Sequence, residues 1–106
     1  MKIAVYCSAK DRIPEEYLAL GDVLGQWIAE TEHTLVYGGA TGGLMTRVSN
    51  AAKAAGGIVE GVIPQRIIQA KRMADNCDTL YVVNNMCERK QKMKELADCF
   101  VCLPGS

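Results

Sequence analysis

Tyr37-Gly38-Gly39-Ala40-Thr41-Gly42-Gly43-Leu44-Met45 joins a short apolar run, Thr34 to Tyr37, to a segment with apolar or small residues at Leu44, Val48, Ala51, Ala52 and Ala55. Four glycines fall within six residues. A strand-length run, a glycine loop and a helix start, in that order, predict a β–α unit. That layout binds phosphate: glycine lets the backbone come close, and the free N–H groups and dipole of a helix start favour an anion.

Two common glycine schemes do not fit. A dinucleotide fingerprint read from Gly38 puts Ala40 at its second glycine, and the loop follows the second strand rather than the first. A Walker-type loop needs lysine where Leu44 stands. From this stretch alone, a glycine-rich turn with no ligand reads the same way.

Outward from the loop, strands and helices alternate. Ile3 to Cys7 is a continuous apolar run, as in a strand buried on both faces. Ser8 to Arg12 forms the connection, and Pro14 suits the first turn of a helix that carries Glu15 and Glu16 at its positive end. Tyr17, Leu20, Leu24, Trp27 and Ile28 recur at helical spacing and are expected to face the core. Gly21 and Gly25 on this helix either allow close helix–sheet contact or merely weaken it.

Gly56-Gly57 stops the second helix, Ile58 to Ile63 is the third strand, and Pro64 ends it. Residues 65–78 read as a loop with a short helix. Thr79 to Val83 is the fourth strand. A helix from about Met86 to Ala97 presents Met86, Met93, Leu96 and Ala97, and Cys99 to Leu103 is the fifth strand. The alternation predicts one α/β domain over residues 1–106, a parallel sheet with helices on both faces.

Twelve basic and twelve acidic side chains cancel. That balance gives no electrostatic case for a nucleic-acid partner or a membrane surface. No apolar run has the length of a membrane span, and the N-terminus reads as a strand rather than a signal peptide. The five cysteines read as reduced thiols of the cytoplasm. Cys99-Phe100-Val101-Cys102 has CxxC spacing, but a strand points its two thiols to opposite faces, away from a shared metal or redox site. His33, the single histidine, precedes the second strand at the amino end of the sheet, which removes histidine-based nucleophilic or metal chemistry.

In such a sheet, ligands bind beyond the carboxyl ends of the strands. Ser8, the glycine loop, Met86 to Lys90 and the residues from Pro104 onward all fall there. Arg89 and Lys90 stand in the first turn of a helix, where positive charge opposes the dipole. Either Arg89 contacts a phosphate or carboxylate with Lys90 beside it, or the pair is solvated and bridged to Glu88 or Glu95.

With these stretches in view, Tyr37–Met45, then Met86-Cys87-Glu88-Arg89-Lys90, then Leu103-Pro104-Gly105-Ser106, the chain resembles the LOG ("Lonely Guy") family. These are cytokinin riboside 5′-monophosphate phosphoribohydrolases, long labelled lysine decarboxylase-like. The family pattern runs YGGGxxGLMG, MHxRK, PGGxGTxxE, and the resemblance covers essentially the whole chain in order.

The resemblance implies a Rossmann-like three-layer α/β/α fold with a parallel sheet. It implies hydrolysis of the N-glycosidic bond of a nucleoside 5′-monophosphate to free base and ribose 5-phosphate. Arg89 maps to the catalytic arginine. Ser8, Gly38, Gly39, Thr41, Gly42, Gly43, Met86, Lys90, Gly105 and Ser106 join it as substrate-binding positions. No metal or organic cofactor is implied, and a homodimer or larger homo-oligomer is.

Departures are visible. Ala40 and Thr46 replace glycines, Ser106 replaces the second glycine of PGG, and Cys87 stands for the histidine. The 106 residues contain no GTxxE segment, so the expectation is a domain truncated after the fifth strand, inactive alone, with that strand as an uncovered edge. The rival expectation is a non-catalytic nucleotide-binding or sensing module. A DNA-processing relative is a third, disfavoured by the zero net charge.

Overall fold

The computed structural model describes residues 1–103. Its elements are β1 (Lys2–Tyr6), α1 (Glu15–Glu30), β2 (Thr34–Tyr37), α2 (Gly43–Ala54), β3 (Ile58–Pro64), α3 (Gln65–Gln69), β4 (Thr79–Val83), α4 (Met86–Leu96) and β5 (Cys99–Cys102). The order expected from the sequence is the order found. Boundaries move by a residue: β1 ends before Cys7, β5 before Leu103 and α4 before Ala97.

All four strand pairings are parallel, in the order β4-β3-β2-β1-β5. The chain therefore steps outward from β1 through β2 and β3 to β4, then crosses back to place β5 on the other side of β1. This reversal makes the carboxyl ends of β1 and β5 the switch point of the sheet, where a crevice opens in folds of this kind.

Alternating residues divide the core. Ile3, Val5, Leu35, Tyr37 and Val59 pack with Ile28 of α1 and with Val48 and Ala52 of α2. Ala4, Val36 and Val62 pack with Met93 of α4 on the opposite face. Because both faces of the central strands are covered, those strands are mostly apolar rather than alternating, with Glu60 of β3 as a buried exception paired with Lys2. The layers are α/β/α, with α4 the one long helix on its face among the described residues.

The expected core face of α1 needs correction. Ile28 is fully buried and Tyr17 and Leu24 are half-buried, but Leu20 is 47% and Trp27 46% exposed. The helix is rotated so that Gly21 and Gly25 face α2. A Cβ on Gly21 would lie 2.9 Å from Leu44 Cδ2, and one on Gly25 would enter the Val48 carbonyl and sit 3.1 Å from Ala52 N. The glycines thus serve helix–helix contact, which is neither of the two alternatives the sequence left open, helix–sheet contact or a merely weakened helix. Arg47 of α2 donates to Asp22 of α1 from Nε at 2.9 Å and closes the same seam.

The two edge strands are less covered. Val82 of β4 is 53% exposed, and Phe100 of β5 is 47% exposed while stacking on Tyr6 at 5.9 Å between ring centroids. His33 sits at the amino end of the sheet, 3.1 Å from the N-terminal ammonium. No helix of the described residues is long and apolar enough to cross a membrane.

Candidate functional site

A cleft of about 400 Å³ opens at the switch point. Tyr6 and Cys7 reach it from the end of β1, Cys102 and Leu103 from β5, Gly38 from the end of β2, and Met86, Arg89, Lys90 and Met93 from α4. Met45 of α2 closes the back. Its walls are largely apolar, with the Arg89 guanidinium as the main polar feature.

Arg89 is 8% exposed. Nε donates to the Val62 carbonyl at 3.0 Å, and Nη2 donates to the Gly38 carbonyl at 2.6 Å. Nη1 meets only the Met86 thioether, at 3.6 Å. Neither sequence-based alternative for internal pairing holds: Glu88 is taken by Asn84, Asn85 and its own helix start, and Glu95 lies near Lys92. Among the described residues no carboxylate pairs with Arg89 and none lines the cleft.

Burial, and next the charge of Arg66, press the Arg89 pKa below its ordinary value. Cys7 beside it offers no counter-charge, because burial pushes its thiol up to about 12 and Arg89 only partly opposes that. A buried cation with no counter-ion costs several kcal/mol, which two carbonyls offset only in part. The arrangement favours an anion arriving from solvent.

The glycine loop divides at its first residue. Gly38 faces the cleft, where a Cβ would lie 3.1 Å from the Arg89 guanidinium carbon. Beyond it the loop turns into the protein. Gly39 O accepts from Ala74 N at 2.8 Å, Thr41 N donates to Arg72 O at 2.8 Å, and Ala40 bridges to Met73. Arg72 Nη2 donates to Thr41 O at 2.7 Å and to Ala9 O at 3.0 Å, clasping the loop to the β1–α1 connection. Gly42, at φ +113, and Gly43 lie against the Ala9 and Lys10 carbonyls, too close for a Cβ. Ser8 is spent locally: Oγ accepts from Lys10 N at 3.0 Å and its carbonyl from Met45 N at 3.3 Å.

The family model described as "Possible lysine decarboxylase" matches residues 45–106. The chain belongs to this family. Its relatives include the cytokinin riboside 5′-monophosphate phosphoribohydrolases of Mycobacterium marinum, 42% identical over 103 residues, and of Rhodococcoides fascians, 41% identical over 104. Each alignment takes in 97% of this chain but only 54% and 52% of the relative, so the chain spans about half their length. Similar solved structures include the molybdenum cofactor carrier protein of Chlamydomonas reinhardtii, with TM-score 0.81, 26% identity, and cover of 96% of this chain and 61% of that one. The molybdenum cofactor binding protein of Rippkaea orientalis, TM-score 0.81 and 24% identical over the same shares, shows the same fold.

Set against the LOG pattern, the fold gathers Gly38, Met86, Arg89 and Lys90 into one cleft. Ser8, Gly39, Thr41, Gly42 and Gly43 stand behind it, building the loop rather than lining the cavity. Gly105 and Ser106 lie outside the described residues. The departures have visible consequences. Thr46 Oγ1 accepts from Gly42 N at 2.6 Å and so occupies a loop amide, Ala40 packs its methyl into the core, and Cys87 is exposed outside the cleft lining. Arg72 carries no sequence signal of a role here, and Met45 reads only as part of the glycine stretch. Only the position of Cys7 at a strand end points towards the cleft.

Proposed function

We propose that the cleft binds a nucleoside 5′-monophosphate and that the whole protein hydrolyses its N-glycosidic bond, releasing free base and ribose 5-phosphate. The observation that carries this reading is Arg89: a buried guanidinium anchored to two backbone carbonyls, lacking a carboxylate partner among the described residues, and open towards a cavity at the switch point. The cavity is of small-ligand size, and the Met45, Met93 and Leu103 walls suit a flat base. The names of the relatives at 41–42% identity support the reaction.

Departure of the base leaves a ribosyl centre with oxocarbenium character, and such a centre needs a carboxylate against it. No Asp or Glu lines the cleft among the described residues. In this proposal the carboxylate comes from a GTxxE segment like that of the family, and the 106-residue chain binds without turnover. The likeness to a carrier protein supports a second reading, a binding module that never hydrolyses its ligand. The wider proposal, resting on resemblance, places a homo-oligomeric enzyme in the cytoplasm.

The test is calorimetric titration of the chain with AMP, beside the Arg89→Met variant, with chromatography for released adenine. We expect AMP binding, its loss in the variant with an unchanged far-ultraviolet spectrum, and no adenine. Equal AMP affinity in the variant would refute the role of Arg89. Adenine release by the chain itself would refute the missing carboxylate.

A further inference from the structure

We propose that Arg66 is a second anion-binding side chain of this site, which with Arg89 flanks Met86 and grips a phosphomonoester from the other side. The inference rests on reading the cleft as a nucleotide site. Arg66 stands in the first turn of α3, directly beyond Pro64 at the carboxyl end of β3. A neighbouring cavity of about 240 Å³ is lined by Pro64, Arg66, Asn84, Asn85 and Met86. It shares Met86 with the Arg89 cleft, so one thioether side chain is the partition between the two. Met86 is 39% exposed, and an unbranched methionine swings aside readily.

Three cations stand around this partition without a carboxylate partner among the described residues. Arg66, Arg89 and Lys90 are these three; the exposed Lys10, Arg12, Lys71 and Lys94 are unpaired among those residues too, but do not line either cavity. The nearest acid on α4, Glu88, has its carboxylate held by Asn84 and Asn85, at 3.5 and 3.3 Å. The charge of Arg66 is felt at Arg89, whose hold on its proton it weakens. Cations set together without an acid repel one another, and a dianionic phosphate between them removes that repulsion. A neutral nucleoside does not. Arg66 therefore separates phosphorylated from unphosphorylated ligands.

The test titrates the 106-residue chain, Arg66→Gln and Arg66→Lys with AMP, adenosine and inorganic phosphate, with thermal melts alongside. We expect Arg66→Gln to weaken AMP binding about tenfold or more, to leave adenosine binding unchanged and to keep the melting temperature. Arg66→Lys should restore part of the loss. Undiminished AMP affinity in Arg66→Gln would overturn the inference while leaving the nucleotide reading in place. Equal losses for AMP and adenosine would mark a structural effect and overturn it too. A chain that binds phosphate but not AMP would sink the nucleotide reading, and loss of that phosphate binding in Arg66→Gln would still uphold Arg66. A chain that binds none of the three would end both.

Discussion

Replacing Gly25 by alanine sets two opposed effects against each other in the middle of α1. Alanine favours the helix over glycine by about 1 kcal/mol. If Gly25 merely weakened its helix, the substitution would stabilise the protein by that amount. The structure requires the opposite sign. The new Cβ would enter the Val48 carbonyl, 3.0 Å from Ala51 Cβ and 3.1 Å from Ala52 N. The carbonyl and the amide belong to the backbone of α2, so relief means pushing the helices apart rather than turning a side chain. Overpacking of this kind costs about 1–3 kcal/mol, and more where backbone must move. With backbone on the far side, the upper part of that range applies, about 2–3 kcal/mol. Less the helix gain, the net loss is about 1–2 kcal/mol, a fall in melting temperature of about 4–15 °C for a domain of this size.

Gly21→Ala is the internal control. Its Cβ would meet Leu44 Cδ2 at 2.9 Å and Val48 Cγ2 at 3.1 Å, side-chain methyls rather than backbone, which small shifts can relieve. There the helix gain and the packing cost nearly cancel, to within about 0.5 kcal/mol. Thermal and urea unfolding followed by circular dichroism would read both variants. A Gly25→Ala protein that melts at or above the wild type would refute the account of the α1–α2 seam.

Thiol labelling should sort the cysteines by position. Cys87 and Cys102 are exposed, while burial raises the pKa of Cys7 and Cys77, so a maleimide pulse on the native chain should mark the first two well before Cys7 in peptide mass spectra. Early labelling of Cys7 would mean that the cleft floor opens. Asp78 accepts from Val59 N at 2.8 Å and from Lys53 Nζ at 2.9 Å, and these bonds, the backbone one first, lower its pKa. A lowered folded pKa gives stability above the unfolded value of about 3.9 and loses it as pH falls through the folded one. Asp78→Asn should therefore be less stable than the wild type near neutrality, by up to about 1 kcal/mol for so exposed a pair. The urea midpoints should converge in acid; a gap that widens in acid would contradict the assignment.

Most of the scaffold is legible because its rules are local. Ile3 to Cys7 and Thr34 to Tyr37 read as strands since both faces of central parallel strands are covered. Gly56, at φ +83, ends α2 as Gly56-Gly57 suggests. What the sequence leaves open is decided between elements. The periodicity of α1 gives a helix but not its rotation, which contact with α2 sets. Charge spacing offers Arg89 a ligand anion or the acids Glu88 and Glu95, yet its internal partners are carbonyls at 62 and 38. Such distant acceptors leave no trace in local pattern. The glycine loop reads as an open phosphate cradle, and only the fold reveals Arg72 and Thr46 occupying its polar groups.

The hold on Arg89 has a consequence for how the site comes into being. Gly38 and Val62 stand one residue beyond the Tyr37–Gly61 pair of β2 and β3, and their carbonyls converge on one guanidinium. No side-chain exchange deletes those backbone acceptors, though at Gly38 any Cβ would crowd the guanidinium it holds. A one-residue slip between the two strands would instead turn an acceptor away. The guanidinium becomes a fixed charge only when two strands in correct alignment meet a helix that is synthesised later. A chain lacking α4 or the β2–β3 alignment thus has no fixed cation at this place, and the charge of the cleft is a product of the finished sheet.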